Sequence, residues 1–488
     1  MKTLKQVYQN QFLMGNIYTP RLLENEPLQA MLNTQFDVLT AENIMKPALI
    51  QPRNGDFTFE NADLMLEYAN KNNQLIVGHT LAWHQQTLSW IDEANTSKEE
   101  ALALLKAHLT AIMTRYKGKI IAWDVLNEAI EDGVQADPAD WRLHLRDTPW
   151  LRMIGPVYIN HVFHVAHELD PDAVLYYNDY NLNYPQKRKA TYYMVKDLKA
   201  AGVPIHGIGM QGHYHTNTPI HTVSDSLELF SLLDGVEISV TELDVTVTGS
   251  EKLDRLTPAM ELEQAQYYAQ LFQIYNRFAA IITRITFWGS DDVTSWRGER
   301  FPTIFNGDYS PKLAYHAIID PEKFLTDHPP IPKDVTLTAV AKKATSDFED
   351  RATWDLSAAI VVTKQLTAWE GATGVVNAIW DDNHLYLFVD VTDTTVNDND
   401  RVDLYLGEQK YSFAVANRDV VRVTMDGYTF KVALPLAELA IVDGAIGFDI
   451  QINDANEKGE RQSAAAWNNF THTNDITDAR LGVLQLVE

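Results

Sequence analysis

The chain contains no cysteine, which excludes disulfides, thiolate metal ligands and cysteine nucleophiles together. Any chemistry must use oxygen and nitrogen. Basic residues are also scarce, with 40 Lys and Arg against 66 Asp and Glu and a formal net charge of -26. Nucleic-acid affinity rests on cations that neutralise phosphates, so no nucleic-acid partner is expected. A neutral polymer such as a polysaccharide meets no such repulsion. The third absence is a long apolar run: nothing approaches the roughly 20 residues that span a bilayer, so no membrane partner is expected. Lys2 and Lys5 are not followed by the apolar stretch of a signal peptide. The chain as given therefore reads as cytoplasmic, or as secreted if a leader has been removed. It shows no internal repeat and no low-complexity tract.

At 488 residues the chain exceeds one ordinary core, which predicts two domains. The first 320 residues hold eight apolar runs: "FLMGNIY", "FDVLTAEN", "QLIVGHTLAW", "KIIAWDVLNE", "AVLYYNDYN", "IHGIGMQGHY", "VEISVTELD" and "ITRITFWGSDD". Helical signals lie between them. Ser97 and Glu100 have the spacing of a capping box, and "YPQKRKATYYMVKDLKAAG" carries Pro185 near its start and Gly202 at its end. Strands buried on both faces read as continuous apolar runs, so eight of them with helical crossovers predict an α/β fold, a (β/α)8 TIM barrel over residues 1–325. A proline-rich linker follows at 326–336. Beyond it, strict period-two alternation in "HLYLFVDVTD", "RVDLYLG", "YTFKVALPL" and "IGFDIQIND", with an Asp426-Gly427 turn, predicts an all-β sandwich domain over 337–488.

A barrel of this kind keeps its active site at the C-terminal ends of its strands, and polar and aromatic residues gather there. Glu42 and Asn43 close the second run, and His79, Trp83 and His84 the third. Asn127 and Glu128 close the fourth, Asn178 and Asp179 the fifth, Gln211 and His213 the sixth. Glu242 and Asp244 close the seventh, Trp288 and Asp291 the eighth. These side chains are expected to face one cavity. Glu128 and Glu242 form the pair a retaining glycosidase needs: one carboxyl protonates the departing sugar oxygen and the other attacks the anomeric carbon from about 5–5.5 Å away. The Asn127 amide is placed to bind the sugar 2-OH. Asp244 points to the same side of its strand as Glu242, so His213 can bridge them and keep the nucleophile ionised and aimed. The blander reading, a hydrogen-bonded acid at a strand end, suits one glutamate better than a whole rim. His84 reads as a core histidine. His161, His164 and His167 drift round their helix and read as a helix face rather than a zinc site.

The motifs "TAENIMKP", "VGHTLAWHQQTLSW", "WDVLNEAIEDG", "YYNDYN", "GIGMQGHYH", "VTELDV" and "TFWGSDDVTSWR" resemble, in order, those of family ten glycoside hydrolases, the endo-β-1,4-xylanases. The resemblance implies a retaining endo-β-1,4-xylanase acting on xylan or xylo-oligosaccharides, with no cofactor for catalysis. It makes Glu128 the general acid/base and Glu242 the nucleophile, tuned by Asn127, Gln211, His213 and Asp244. Glu42, Asn43, Lys46, His79, Trp83, Gln86 and Asn178 fall to substrate binding, and Trp288 and Trp296 to the aromatic floor and wall of the cleft. Pro47 and Leu88 depart from the family pattern, which usually has Trp and Pro there, and bear on loop shape and subsite preference. Two rival readings are another retaining barrel glycosidase, preferring β-1,4-glucan or aryl glycosides, and a sugar-binding protein whose catalysis has decayed.

The last 150 residues resemble a family nine carbohydrate-binding module in "AIWDDNHLYLFVDVTD", "NDNDRVDLYL", "IGFDIQINDANEKGER" and "LGVLQL". That family clamps a terminal sugar between two tryptophans. Val396 and Asn397 stand where one is usual, which leaves Trp467 either as half a clamp or as a core residue. The resemblance also implies a structural calcium on Asp- and Asn-rich loops, with ligands unassigned. Oligomeric state is left open.

Overall fold

The computed structural model describes all residues except 1, 134–136, 250, 331–336, 345–352, 355–358, 366–370, 408, 457, 460, 469–480 and 488. It divides into two compact units, the first ending at Pro330.

In the first unit the parallel strands are β1 (Leu13–Tyr18), β2 (Val38–Ala41), β3 (Leu75–Ala82), β4 (Ala122–Asn127), β5 (Val174–Asp179), β6 (Gly207–Met210), β7 (His213–His215), β8 (Glu237–Thr246) and β9 (Ile282–Phe287). Each pairs with its neighbour from β1 to β6. β6 then pairs with β8, β8 with β9, and β9 with β1, which closes an eight-stranded TIM barrel. Every apolar run supplies one barrel strand. Run six, however, breaks after Met210: Gly212 turns with φ 81°, and His213–His215 forms a separate short strand beside β8. That extra ladder lets β8 continue to Thr246, so Glu242 lies within its strand rather than at its end.

The crossover helices follow their sequence signals. Ser97 and Glu100 form a reciprocal capping box on the helix Lys98–Tyr116, whose Leu105, Leu109, Ile112 and Met113 are buried against the barrel. Each such side chain stabilises the fold by roughly 1.5–3 kcal/mol relative to exposure. Pro185 opens the helix Pro185–Ala200, and Gly202 lies just beyond its end at φ 77°. At Gly209, on β6, an added Cβ would stand 2.4 Å from Asn178 Oδ1. Only glycine leaves the Asn178 amide its place inside the barrel.

The second unit is the all-β domain, with antiparallel ladders between His384–Thr392 and Gly427–Pro435 and between Arg401–Leu406 and Ala445–Ala455. Leu385, Leu387, Val389 and Val391 alternate inward along one strand, and Phe448, Ile450 and Ile452 along another, as the period-two pattern requires. The Asp426-Gly427 turn joins two paired strands, with Gly427 at φ 151° and close to the Val391 carbonyl. Residues 326 and 327 belong to the helix Pro321–Asp327, and 331–336 of the expected linker lie outside the described residues. Among the described residues no helix is long and apolar enough to cross a membrane.

Candidate active site

Glu128 directly follows β4 and adopts a left-handed backbone, φ 57°. For a residue with a Cβ this conformation costs about 1–3 kcal/mol and needs support from its surroundings. The support is visible: the Glu128 N–H donates to Asn178 O at 2.8 Å, and Arg146 Nε donates to Glu128 O at 3.0 Å. The carboxylate then receives Trp83 Nε1 at 2.8 Å, Gln211 Nε2 at 3.0 Å and Asn127 Nδ2 at 3.1 Å. These donors are all neutral. His84 Nδ1 lies 3.8 Å from the same carboxylate, so His84 belongs to the site, not to the core as its sequence context suggests. Burial, helped by Arg146 and Lys187, pulls its imidazole down to about 4.

Glu242 has a different setting. Its N–H donates to Gln211 O at 2.8 Å, and its carboxylate takes Asn178 Nδ2 at 2.8 Å and His213 Nε2 at 3.2 Å. The other imidazole nitrogen faces Asp244 Oδ2 at 3.1 Å. Asp244 is in turn held by the Arg297 guanidinium and by Trp296 Nε1 at 3.1 Å. Burial opposes charge on all three groups, but the ion pairs prevail. Burial alone would lower His213, yet Asp244 and Glu242 raise it to about 9. Burial would raise Glu242 and Asp244, yet His213, with His79 and Asn178 for the one and Arg297 for the other, holds both below the ordinary carboxylate range.

Asn178 joins the two halves. Its Nδ2 also lies 2.9 Å from Asn127 Oδ1, and its own Oδ1 accepts from Thr241 Oγ1 at 2.5 Å. A continuous path of amides therefore runs from Glu128 through Asn127 and Asn178 to Glu242.

Around this pair, Lys46 Nζ donates to Asn43 Oδ1 at 2.9 Å and stands 5.1 Å from the Trp83 ring. Burial lowers the Lys46 ammonium against the pull of Glu242, Glu42 and Glu128, and raises the Glu42 carboxyl against Lys46 and Arg21. His79 pairs with Asp124 at 2.9 Å, and its ring packs 5.2 Å from Trp288. Trp288 is buried, whereas Trp296 is 59% exposed. Gln86 has an exposed side chain, a φ of 41° and a carbonyl that accepts from Ala48 N at 2.7 Å.

Several residues of the site carry no signal in the sequence. Lys187 is fully buried between Asp132 and Asp179, 2.9 Å from each. Asp179 is nonetheless pushed up to about 6 by burial, which outweighs Lys187 and Arg146. Arg146 joins in the same way, whereas Asp124, Tyr180 and Arg297 lie within the motifs quoted above. Away from the rim, His161 bonds Leu102 O at 3.2 Å and His167 packs on His206.

In the second unit, Asp393, Asp400 and Asp454 are buried and present oxygens within 4.8 Å of one another. Among the described residues, Asp393 Oδ2 and Asp454 Oδ1 have no hydrogen-bond partner. Buried acceptors aimed at each other, all oxygen, suit a hard divalent cation such as calcium. Burial, together with Asp393 and Asp454, carries Asp400 up to about 6, and Asp454 rises for the same reasons. Trp467, by contrast, is 8% exposed and packs on Phe448 with ring centres 5.6 Å apart. An added Cβ at Gly482 would strike its ring at 2.5 Å. The expectation of half a sugar clamp there gives way to a residue of the sandwich core, because both the strand behind it and Phe448 close on the indole.

Residues 3–321 match glycosyl hydrolase family 10, and residues 407–488 match the carbohydrate family 9 binding domain-like family. Similar proteins include endo-1,4-beta-xylanase A of Thermoanaerobacterium saccharolyticum and an exoglucanase of Acetivibrio thermocellus. Each is 34% identical across 99% of this chain, which covers 43% and 46% of them. The chain thus spans less than half the length of either. Among solved structures, the intracellular xylanase of Thermoanaerobacterium saccharolyticum JW/SL-YS485, in complex with xylotetraose, is 37% identical over 65% of this chain and 98% of that one, with a TM-score of 0.60. With a closed barrel, two buried glutamates at its C-terminal mouth and a match across some two thirds of its length, the chain belongs to glycosyl hydrolase family 10.

Proposed function

We propose that this chain is a retaining endo-β-1,4-xylanase in which Glu242 is the nucleophile and Glu128 the acid/base. The observation that carries the assignment is the asymmetry of the pair. Glu242 contacts a histidine raised to about 9 by its carboxylate neighbours, a cation that favours the ionised form a nucleophile needs. Glu128 contacts neutral indole and amide donors, which orient a carboxyl that must both give and take a proton.

In the first step a Glu242 oxygen bonds to the anomeric carbon as the bond to the leaving sugar oxygen breaks, and the Glu128 proton passes to that oxygen. In the second, Glu128 takes a proton from water as the water oxygen displaces Glu242. Glu128 ends protonated and the anomeric configuration is retained. Lys46, Asn43, His79 and Trp83 stand where hydroxyls of the bound sugar are to be held, and the exposed Trp296 indole offers a flat apolar face to a sugar ring. Xylan and xylo-oligosaccharides are the proposed substrates, in keeping with the xylotetraose bound by the similar xylanase. The exoglucanase relative makes β-1,4-glucan the second reading. In the sandwich, Asp393, Asp400 and Asp454 are proposed to hold calcium, whose charge would compensate theirs without entering the reaction.

Proton NMR of xylan digests at early time is the test. β-Anomers first, with none formed by Glu242→Ala, is the expected result. α-Anomers first overturn the mechanism, and faster cleavage of carboxymethylcellulose than of xylan overturns the substrate.

A further inference from the structure

We propose that Arg146 is a positioning residue for the acid/base, acting on Glu128 through the main chain; this rests on the assignment of Glu128 above. Arg146 reaches three oxygens with one guanidinium: Nε donates to Glu128 O at 3.0 Å, and Nη2 to Ile130 O at 3.2 Å and to Tyr180 Oη at 2.9 Å. Its own backbone N–H donates to Ala129 O at 2.8 Å. The segment from Glu128 to Ile130 is thus gripped at three successive carbonyls, starting at the residue whose left-handed φ of 57° aims the carboxyl into the cleft.

The grip is itself anchored. Tyr180 Oη donates to Asp132 Oδ2 at 2.5 Å, and the buried Lys187 ties Asp132 to Asp179. Arg146 lies 3.6 Å from Glu131 and 3.8 Å from Asp132, with its side chain 14% exposed. A planar fork with fixed donor directions serves two carbonyls and a phenol at once, whereas an ammonium is a point charge that cannot. Relaxing Glu128 towards an extended backbone would swing its carboxyl away from Trp83 and Gln211, and a displacement of about 1 Å can cost about a hundredfold in rate.

The function assigned to Arg146 is therefore specific to proton donation, and leaving-group dependence reads it. kcat/KM for a retaining enzyme reports the steps up to departure of the leaving group, and a dinitrophenolate departs without a proton whereas a sugar alkoxide requires one. For Arg146→Lys, kcat/KM is expected to fall at least about tenfold on xylotetraose and less than about threefold on dinitrophenyl β-xylobioside. A purely structural role would lower both alike. Equal losses on the two substrates, or no loss on either, overturn the proposal. If Arg146→Lys does not fold, Tyr180→Phe, which removes one anchor of the fork, is expected to show the same split to a smaller degree, and an even loss there overturns it. Glu128→Ala separates the two readings: if its kcat/KM is indifferent to the leaving group, the acid/base assignment fails whatever Arg146 does.

Discussion

The barrel rim and the sandwich both bury clusters of carboxylates, but they compensate them differently. In the rim, Asp244 meets Arg297 and His213, Glu242 meets His213, and Asp292 meets Lys312 at 2.8 Å. In the sandwich, Asp393, Asp400 and Asp454 face one another, and among the described residues the donors around them are N–H and O–H groups. Burial raises Glu242, Asp244, Asp400 and Asp454 alike, so the sign of the net shift depends on the partner. Glu242 and Asp244 end below the ordinary range, while Asp400 and Asp454 end above it. A cation does not always prevail: Asp179 and Asp292 stay raised beside their lysines because their burial is the larger effect. The rim supplies its own counterions, whereas among the described residues no cation is paired with the triad.

The comparison can be broken on either side, and the largest effect should come from the rim. Glu242→Ala, which empties the position His213 addresses, should lower kcat on xylotetraose on the order of 10⁴-fold or more with little change in melting temperature; a loss below tenfold would contradict its role. Arg297→Met comes next. It leaves Asp244 buried without its guanidinium, and denaturant unfolding should record a loss of about 3–5 kcal/mol in the barrel transition. Adding Asp244→Asn to that variant should recover part of the loss.

On the sandwich side, calcium at about a hundred times its Kd should stabilise by about 2.7 kcal/mol, visible as a melting transition that EDTA lowers. Asp393→Asn with Asp454→Asn should abolish the difference. The pH sign follows from the raised pKa. The metal-free folded state keeps a proton on Asp400 up to about 6, against an ordinary value of 3.8. Stability without metal should therefore fall as pH rises through that window, and calcium should flatten the slope.

The smallest predicted effect is a profile rather than a loss. His213 is raised from 6.5 to about 9, so its contribution to stability and to the ionised Glu242 is present at neutral pH and disappears as pH rises through about 9. kcat/KM should show an alkaline limb there, and in the residual activity of His213→Asn that limb should be absent.

Much of the barrel could be read in advance, because strands buried on both faces must be continuously apolar and each of the eight runs contains one. The Glu242, Asp244 and His213 cluster was legible from period two and strand order. The break after Met210 was not, since the polar Gln211 and His213 read equally well as the end of one strand and only Gly212 marks the turn. Arg146 and Lys187 were invisible for a different reason: their partners lie 18 and 55 residues away in the chain, and no local spacing encodes such contacts. In the sandwich, Asp393, Asp400 and Asp454 all stand in or beside strands that alternation had identified, yet nothing in those stretches says that they converge. Trp467 stayed ambiguous between clamp and core because a tryptophan in a binding-domain-like chain looks alike in sequence whether its ring faces sugar or core.

Taken alone, the sequence determined which chemical groups reach the barrel mouth, because strand periodicity decides which side chains face inward and chain order decides which strands are neighbours. Only the tertiary structure decided what those groups became. Whether a buried carboxylate is ionised depends on the cations and donors a few ångströms away through space, and in a low-dielectric interior those neighbours outweigh anything adjacent in the chain.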